Sequence, residues 1–218
     1  MPQPFDLLPL LVQGWWITLL VTAGGAVVAA VAACATAVAR LSRHRLVSVP
    51  ALIYIDLFRG TSALVQLFWA YYALPLLGVR LPAMTVGIVV LGLNIGAYGA
   101  EVVRGAIRAV PAVQCEAALA LGFSERQTLW RVVMPQALPA MLPPLGNLSI
   151  ELLKSTALVS LVTLADLTFQ GQVLRSATLR SAEVFALVLL LYFVTAQAMA
   201  WGMRRLEGRA GRWRPVVR

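Results

Sequence analysis

The sequence predicts an all-α, polytopic helical membrane protein with five transmembrane helices, and three observations carry that prediction. Of 218 residues, 60% are hydrophobic and only 12% are charged, where a soluble domain has about a quarter charged. The apolar residues are gathered in charge-free blocks at 7–39, 61–79, 81–100, 132–150 and 184–203. Each is close to or above the ~18–20 residues that an α-helix needs to cross a bilayer. No period-2 alternation of the kind a barrel requires is present, and inside lipid a helix satisfies its own backbone. A single domain, 1–218, accommodates all five blocks without a linker.

The first span is placed at about 14–39. Only Asp6 and the α-amino group precede the block, and it is longer than a 7–15-residue signal core, so it reads as a retained span. Gly24, Gly25 and several alanines give it a small-residue face suited to close packing on another span. A basic turn at 40–49 follows. Residues 51–62 lead into span two, about 61–77, and Asp56 and Arg59 stand at i,i+3 spacing that allows a pair. Gly78 and Pro82 flank Arg80 in a tight external turn. Span three, about 82–103, carries Asn94 at mid-depth and ends with Glu101 and Arg104. A charged segment at 110–135 separates it from the fourth crossing, about 136–164. Pro135, Pro139, Pro143 and Pro144 predict an irregular or delayed helix start there. An external loop at 165–182 leads to span five, about 184–203.

The +9 formal charge is distributed asymmetrically. Counting loops alternately, fourteen arginines fall on one side, among them Arg40, Arg43, Arg45, Arg108 and the tail Arg204 to Arg218, while Arg80, Arg175 and Arg180 fall on the other. The positive-inside rule then puts the N-terminus outside and the C-terminus in the cytoplasm. Orientation and lipid-headgroup contact explain this charge without nucleic acid. Cys34 and Cys115 lie at different levels and make neither a disulfide framework nor a metal site. His44 is the only histidine. The sequence has no phosphate-cradling G-x-x-x-x-G-K-[ST] loop, and Lys154 is its only lysine. It also lacks a G-x-S-x-G elbow or an H-E-x-x-H pair. Catalysis by this chain, and any cofactor bound to it, therefore find no support.

The segment "VQCEAALALGFSERQTLWRVVMPQALP" is the exception to an otherwise lipid-soluble sequence. Glu116–Ala117–Ala118 opens a short helix, Gly122 supplies a left-handed C-terminal cap, and Ser124 with Gln127 three residues on forms a capping box for a second helix. Two short helices meeting at Gly122 would sit on the cytoplasmic face, with Phe123, Leu129, Trp130 and Val133 as apolar contacts. Such a unit suits docking into a groove of a cytosolic partner, or else lies on lipid as an interfacial pair.

This segment resembles the EAA loop of bacterial ABC importer permeases. Glu116, Ala117 and Ala118 are followed by three residues, Gly122, nine residues, Val132, one residue, Met134 and Pro135. Val132 and Met134 stand where Ile and Leu are usual. "FRGTSALVQLFWAYYALP", "AYGAEVVRGAI" and "ELLKSTALVSLVTLADL" are similar to recurring segments of the five-span polar amino acid uptake branch, and the resemblance runs from about 14 to 201. It implies a loop that fits a cleft on a separate ATP-binding subunit, with Glu116 as polar anchor and Gly122 making the turn. It also implies two permease copies, identical or paired with a sister subunit, two ATP-binding subunits that hold ATP and Mg, an extracytoplasmic solute-binding protein, and residence in a bacterial inner membrane. Within the branch the segments resemble ectoine/hydroxyectoine permeases most. Ser155 stands where many amino acid permeases carry Asp or Asn, which suits a zwitterion over a cationic amino acid.

Ionisable and polar groups inside spans are functional candidates. Glu151 and Lys154, at i,i+3, can neutralise each other or contact the ammonium and carboxylate of a zwitterion. Gln66, Tyr71 and Asn94 add hydrogen-bonding groups along a solute path; Asn94 equally suits tying helices together. Asp166, at the outer end of the fourth crossing, is placed to meet a solute or the binding protein. A stand-alone ion-coupled carrier or channel is the rival reading, though it would leave the EAA spacing unexplained.

Overall fold

The computed structural model describes residues 8–42 and 44–210. Asp6 and the charges at Arg43, Arg212, Arg214 and Arg218 that entered the topology count lie outside them. Among the described residues the chain is helical, without strands. Four helical segments are long and apolar enough to cross a membrane: Leu8–Leu41, Ala83–Arg108, Glu125–Val162 and Ser181–Ala210. Arg45–Gly60 and Ala63–Leu77, bent by 105° at their junction, pass the same test when taken together, as a broken span or a re-entrant loop. These have 16 and 15 residues. At 1.5 Å per residue neither piece alone covers the ~30 Å hydrocarbon core.

The elements are α1 (Leu8–Leu41), α2 (Arg45–Gly60), α3 (Ala63–Phe68), α4 (Ala83–Arg108), α5 (Ala112–Ala120), α6 (Glu125–Thr128), α7 (Met134–Ser155), α8 (Leu167–Thr178) and α9 (Ser181–Ala210). A π turn at Trp69–Ala73 and a 3-10 turn at Leu74–Leu77 extend α3. A second π turn, Leu129–Val133, joins α6 to α7, and a 3-10 segment, Thr156–Val162, extends α7.

The central packing is α1 against α4. It follows from the small residues of both helices: a Cβ on Gly92 would lie 2.6 Å from the Val28 Cβ and 2.9 Å from the Gly25 carbonyl oxygen. The two backbones therefore approach as closely as glycine permits. Val21, Leu91, Ile95, Leu152 and Val159 fill the core beside this contact, drawing α7 and its 3-10 extension onto the pair. A second cluster of Leu11, Leu167, Leu174, Val184 and Val188 seats α8 between α1 and α9.

Three local expectations change. The turn expected at 40–49 is helical from Arg45, and α2 carries Pro50 inside it. The loop expected at 165–182 holds the twelve-residue helix α8, started by Asp166 as N-cap. The delayed start expected of the proline-rich crossing is absent. Pro135 lies directly after the π turn that leads into α7, and Pro139, Pro143 and Pro144 sit within a continuous helix. Irregularity falls at the ends, in the π turn before α7 and the 3-10 segment after it. The Gln136 side chain there donates to the Val132 carbonyl at 2.9 Å.

Candidate functional site

The α5–α6 unit is built by local rules. Gly122 has φ +81°, its N–H bonds the Leu119 carbonyl at 2.9 Å, and the Phe123 N–H reaches back to Ala118 at 3.1 Å. This is the 6→1 and 5→2 pattern that ends a helix at glycine. The Ser124 hydroxyl accepts from the Gln127 N–H at 3.3 Å while the Ser124 N–H donates to the Gln127 side chain at 2.9 Å. The expected capping box is therefore formed.

Glu116 and Ala117 are exposed and Ala118 is buried. Among the described residues no hydrogen bond or ion pair engages the Glu116 carboxylate. Of the apolar contacts expected, Trp130 is 60% exposed, but Val133 is buried in the body of the protein. Phe123 is half-buried beneath the Arg131 guanidinium, 5.9 Å from the ring centre. The outward apolar surface instead comes from Val113, Leu119 and Leu121, 72, 50 and 78% exposed, together with Trp130. Leu119 and Leu121 within the Glu116–Gly122 run, and Val113 just before it, were the signal for it. Pro135 is exposed at the start of α7, and a hydrogen bond from Gln136 to Gln114 ties α7 back to α5.

A polar cluster closes the break between α2 and α3. Where α2 stops at Gly60, its last carbonyls lose their helical donors. The Asn94 amide donates to the Phe58 carbonyl at 3.0 Å and to the Gln66 side-chain oxygen at 3.1 Å. Gln66 donates to the same Phe58 carbonyl at 3.0 Å and to the Thr61 hydroxyl at 2.7 Å. Gln66 and Asn94 thus meet, and together they satisfy a backbone group at membrane depth. Gln66 and Thr61 line a cavity of about 490 Å³ with Leu57, Val65, Trp69 and Val90. Thr61 was not anticipated. Arg59 does not pair with Asp56; it stacks 5.2 Å from the centre of the Tyr98 ring. Tyr71 bonds the Thr163 hydroxyl at 2.8 Å. Thr163 has φ +64°, a strained conformation for a β-branched residue.

On α7, Glu151 and Lys154 are both exposed, Ser155 is half-buried, and no ion pair joins Glu151 to Lys154. Asp166 is fully buried. Its carboxylate accepts from the Phe169 N–H at 3.0 Å, the Thr168 N–H at 3.2 Å and the Tyr192 hydroxyl at 3.4 Å. The next residue, Leu167, donates its N–H to the Thr18 hydroxyl of α1 at 3.1 Å. Asp166 therefore presents no surface to a solute in this conformation; it starts α8 and fastens it to α1 and α9. Among the described residues no three His, Cys, Asp or Glu side chains converge on a metal-sized site.

Burial pushes the Asp166 carboxyl up to about 6, against the lowering effect of its hydrogen bonds. A folded-state value above the unfolded one means that the folded state holds the proton more tightly. The resulting stability is fully present below the unfolded value of 3.8 and is lost as pH rises through about 6, in all on the order of 3 kcal/mol. Detergent-solubilised protein should lose heat resistance as pH rises from about 4 to about 6 and change little above that. Asp166→Asn keeps one oxygen for the cap and should flatten that profile. An unchanged slope in the variant would assign the titration elsewhere.

Residues 25–211 match the family described as the binding-protein-dependent transport system inner membrane component. A probable amino-acid ABC transporter permease of Sinorhizobium fredii (strain NBRC 101917 / NGR234) is 46% identical over 215 residues, covering 96% of this chain and 90% of that protein. The glutamine transport system permease of Escherichia coli (strain K12) is 37% identical over 209 residues, 93% of each. Among solved structures, a crystal structure of an amino acid ABC transporter with histidines superposes with TM-score 0.86 at 35% identity, covering 92% of this chain and 94% of that one. An inward-facing methionine ABC transporter shares the fold alone, with TM-score 0.81 at 21% identity over 96% and 99% of the two chains.

Proposed function

Since this chain belongs to the family of binding-protein-dependent transport system inner membrane components, and is a permease subunit of an amino-acid ABC importer, we propose that its α5–α6 unit couples it to a separate ATP-binding subunit. The observation that carries this reading is the capped pair itself. Glu116 is unengaged among the described residues, Gly122 makes the left-handed turn, and Val113, Leu119, Leu121 and Trp130 form an uncovered apolar surface around them. Solvent-facing aromatic and aliphatic residues rimmed by charge are the composition of a docking surface.

In this reading the N-terminus is outside and the C-terminus cytoplasmic, and a second permease subunit and two ATP-binding subunits complete the transporter. ATP and Mg reside in the partner chains, and an extracytoplasmic binding protein delivers the solute. Closure of the ATP-binding pair pulls the α5–α6 units together, and the crossings reorient between outward and inward access. The solute is a polar amino acid or a zwitterionic compatible solute such as ectoine. It passes the cavity at the α2–α3 break, whose mostly apolar wall carries the Gln66 amide and the Thr61 hydroxyl and no fixed charge, with Asn94 bonded to Gln66 behind it. In the same reading Tyr71, Ser155, Glu151 and Lys154 are further candidates for contact with the solute.

Reconstituted into proteoliposomes with its ATP-binding subunit and binding protein, the permease should accumulate labelled solute only with hydrolysable ATP inside. A panel including glutamine and ectoine, scored by ATPase stimulation, would name the solute. Uptake that proceeds without ATP and follows an imposed proton or sodium gradient would favour the stand-alone carrier and overturn this reading.

A further inference from the structure

The segment Ala63–Leu77, α3 with its π and 3-10 extensions, is lightly held. Leu67 is its only buried residue, whereas α4 beside it buries twelve of 26. It begins at a pivot. Thr61 and Ser62 are extended, the chain bends by 105° there, and nothing lies within 4 Å of a Cβ on Gly60. The Gln66 and Asn94 amides tie the segment down beside this pivot. At its far end two hydroxyl groups hold it to the 3-10 segment Thr156–Val162 and to the residue that follows. Tyr71 and Thr163 share a hydrogen bond of 2.8 Å, and the Tyr72 hydroxyl donates to the Leu161 carbonyl at 3.4 Å. Both tyrosines belong to the π turn Trp69–Ala73, an irregularity that recurs at functional sites. Their partners belong to the fixed body of the protein, since Val159 and Val162 are fully buried and Asp166 fastens the chain just beyond them.

We propose that the Tyr71–Thr163 bond is a clasp that opens and recloses in each transport cycle, as Ala63–Leu77 swings about residues 60–62 and uncovers the cavity at the α2–α3 break. Val65, Gln66, Trp69 and Ala70 form one wall of that cavity, and Val90 and Leu93 of α4 stand on the other. Moving the segment therefore parts the walls. Opening costs little. A segment with few buried apolar contacts opens at low free energy, and both hydroxyl contacts are exposed, so water can replace them. Closing is opposed by Thr163, whose φ of +64° holds a β-branched residue in the left-handed region. Such strain persists only where the surroundings impose it, and the Thr163 hydroxyl is bonded to Tyr71. In the orientation proposed above, the clasp lies at the extracytoplasmic end, where the binding protein delivers solute. This rests on the alternating-access reading and deepens it, because part of the opening becomes a movement within one chain rather than a rigid reorientation of whole subunits.

A tether across the clasp tests it. The whole transporter is reconstituted with a permease carrying Cys34→Ala and Cys115→Ala, which removes both native thiols. Tyr71→Cys and Thr163→Cys are added together, and the two thiols are joined by a short flexible bis-maleimide. Labelled glutamine, or the panel member that wild type accumulates, reports uptake. The joined peptide should be recovered from a single chain, and tethering should cut ATP-driven uptake at least about tenfold relative to the same protein before treatment. Each single-cysteine protein, treated alike, should keep most of its uptake. Tyr71→Phe removes only the hydroxyl and decides alone if the double variant folds poorly. In the proposed cycle the open clasp accompanies the closed ATP-binding pair, so Tyr71→Phe should raise ATP hydrolysis without solute by about twofold or more, the worth of one exposed hydrogen bond. Full uptake by the tethered protein, failure of the two thiols to join, or a Tyr71→Phe rate equal to wild type would each overturn the clasp. Wild type assayed alongside keeps the two failures apart: if it accumulates nothing under ATP the transport reading is at fault, and if it does so no better than the tethered form, only the clasp is.

Discussion

Gly92→Leu should leave little folded protein in the membrane fraction, and the remainder should melt about 10 °C or more below wild type in detergent. A side chain at position 92 begins with a Cβ placed 2.6 Å from Val28 Cβ and 2.9 Å from the Gly25 carbonyl oxygen. The second obstacle is backbone, so no rotamer change relieves it, and α1 must withdraw from α4 along the packing that organises the core. Overpacking typically costs about 1–3 kcal/mol where side chains can yield. Where a helix must move the upper end is the minimum, and about 3 kcal/mol corresponds to roughly 10 °C in a chain of this size. Gly105→Ala is the matched control. The space around Gly105 is open, with nothing within 4 Å of an added Cβ. A helical glycine replaced by alanine should gain about 0.5–1 kcal/mol. Fluorescence-detected melting of the three proteins checks both signs; equal loss in Gly92→Leu and Gly105→Ala would show that glycine content, not the α1–α4 contact, is limiting.

Gly122→Arg should abolish ATP-driven uptake while leaving the fold standing. Nothing in the chain lies within 4 Å of a Cβ at position 122, so the arginine finds room. The left-handed backbone, φ +81°, costs a non-glycine residue about 1–2 kcal/mol, and the melting temperature should fall by only a few degrees. Uptake should fall much further, at least about tenfold, because the added side chain occupies the surface offered to the ATP-binding subunit. Transport at the wild-type rate would refute docking through this turn.

What was legible in the sequence divides by range of interaction. The Gly122–Ser124–Gln127 arrangement depends on residues within a few positions of one another, and its caps stand as their spacing indicates. The apolar blocks were legible for the same reason, being composition over one helix length. The α2–α3 break was not. It is stabilised by Asn94, which reaches a carbonyl 36 residues away at Phe58, and by Gln66 acting on both sides of the bend. Propensity along the chain carries no record of such a contact. Helix α8 was missed although Asp166 is a standard N-cap, because its polar sequence lacks the block that marked the crossings. Pro139, Pro143 and Pro144 misled in the opposite direction, since packing by α4 and α9 holds α7 as one helix despite the hydrogen bonds forfeited. Glu151 and Lys154 have a spacing that permits an intrachain pair, and only the rotation imposed by Leu152 and Leu153 turns both outward.

Coupling through the α5–α6 unit is tested most directly by what the protein brings with it from the membrane. Wild type and Gly122→Arg, purified side by side in mild detergent and examined by mass spectrometry, should differ in one respect. Wild type should retain a nucleotide-binding chain in near-equal amount, and the variant should lose it while keeping its own fold. A permease that purifies alone in both forms, or a nucleotide-binding chain held equally by both, would contradict the coupling role of this loop.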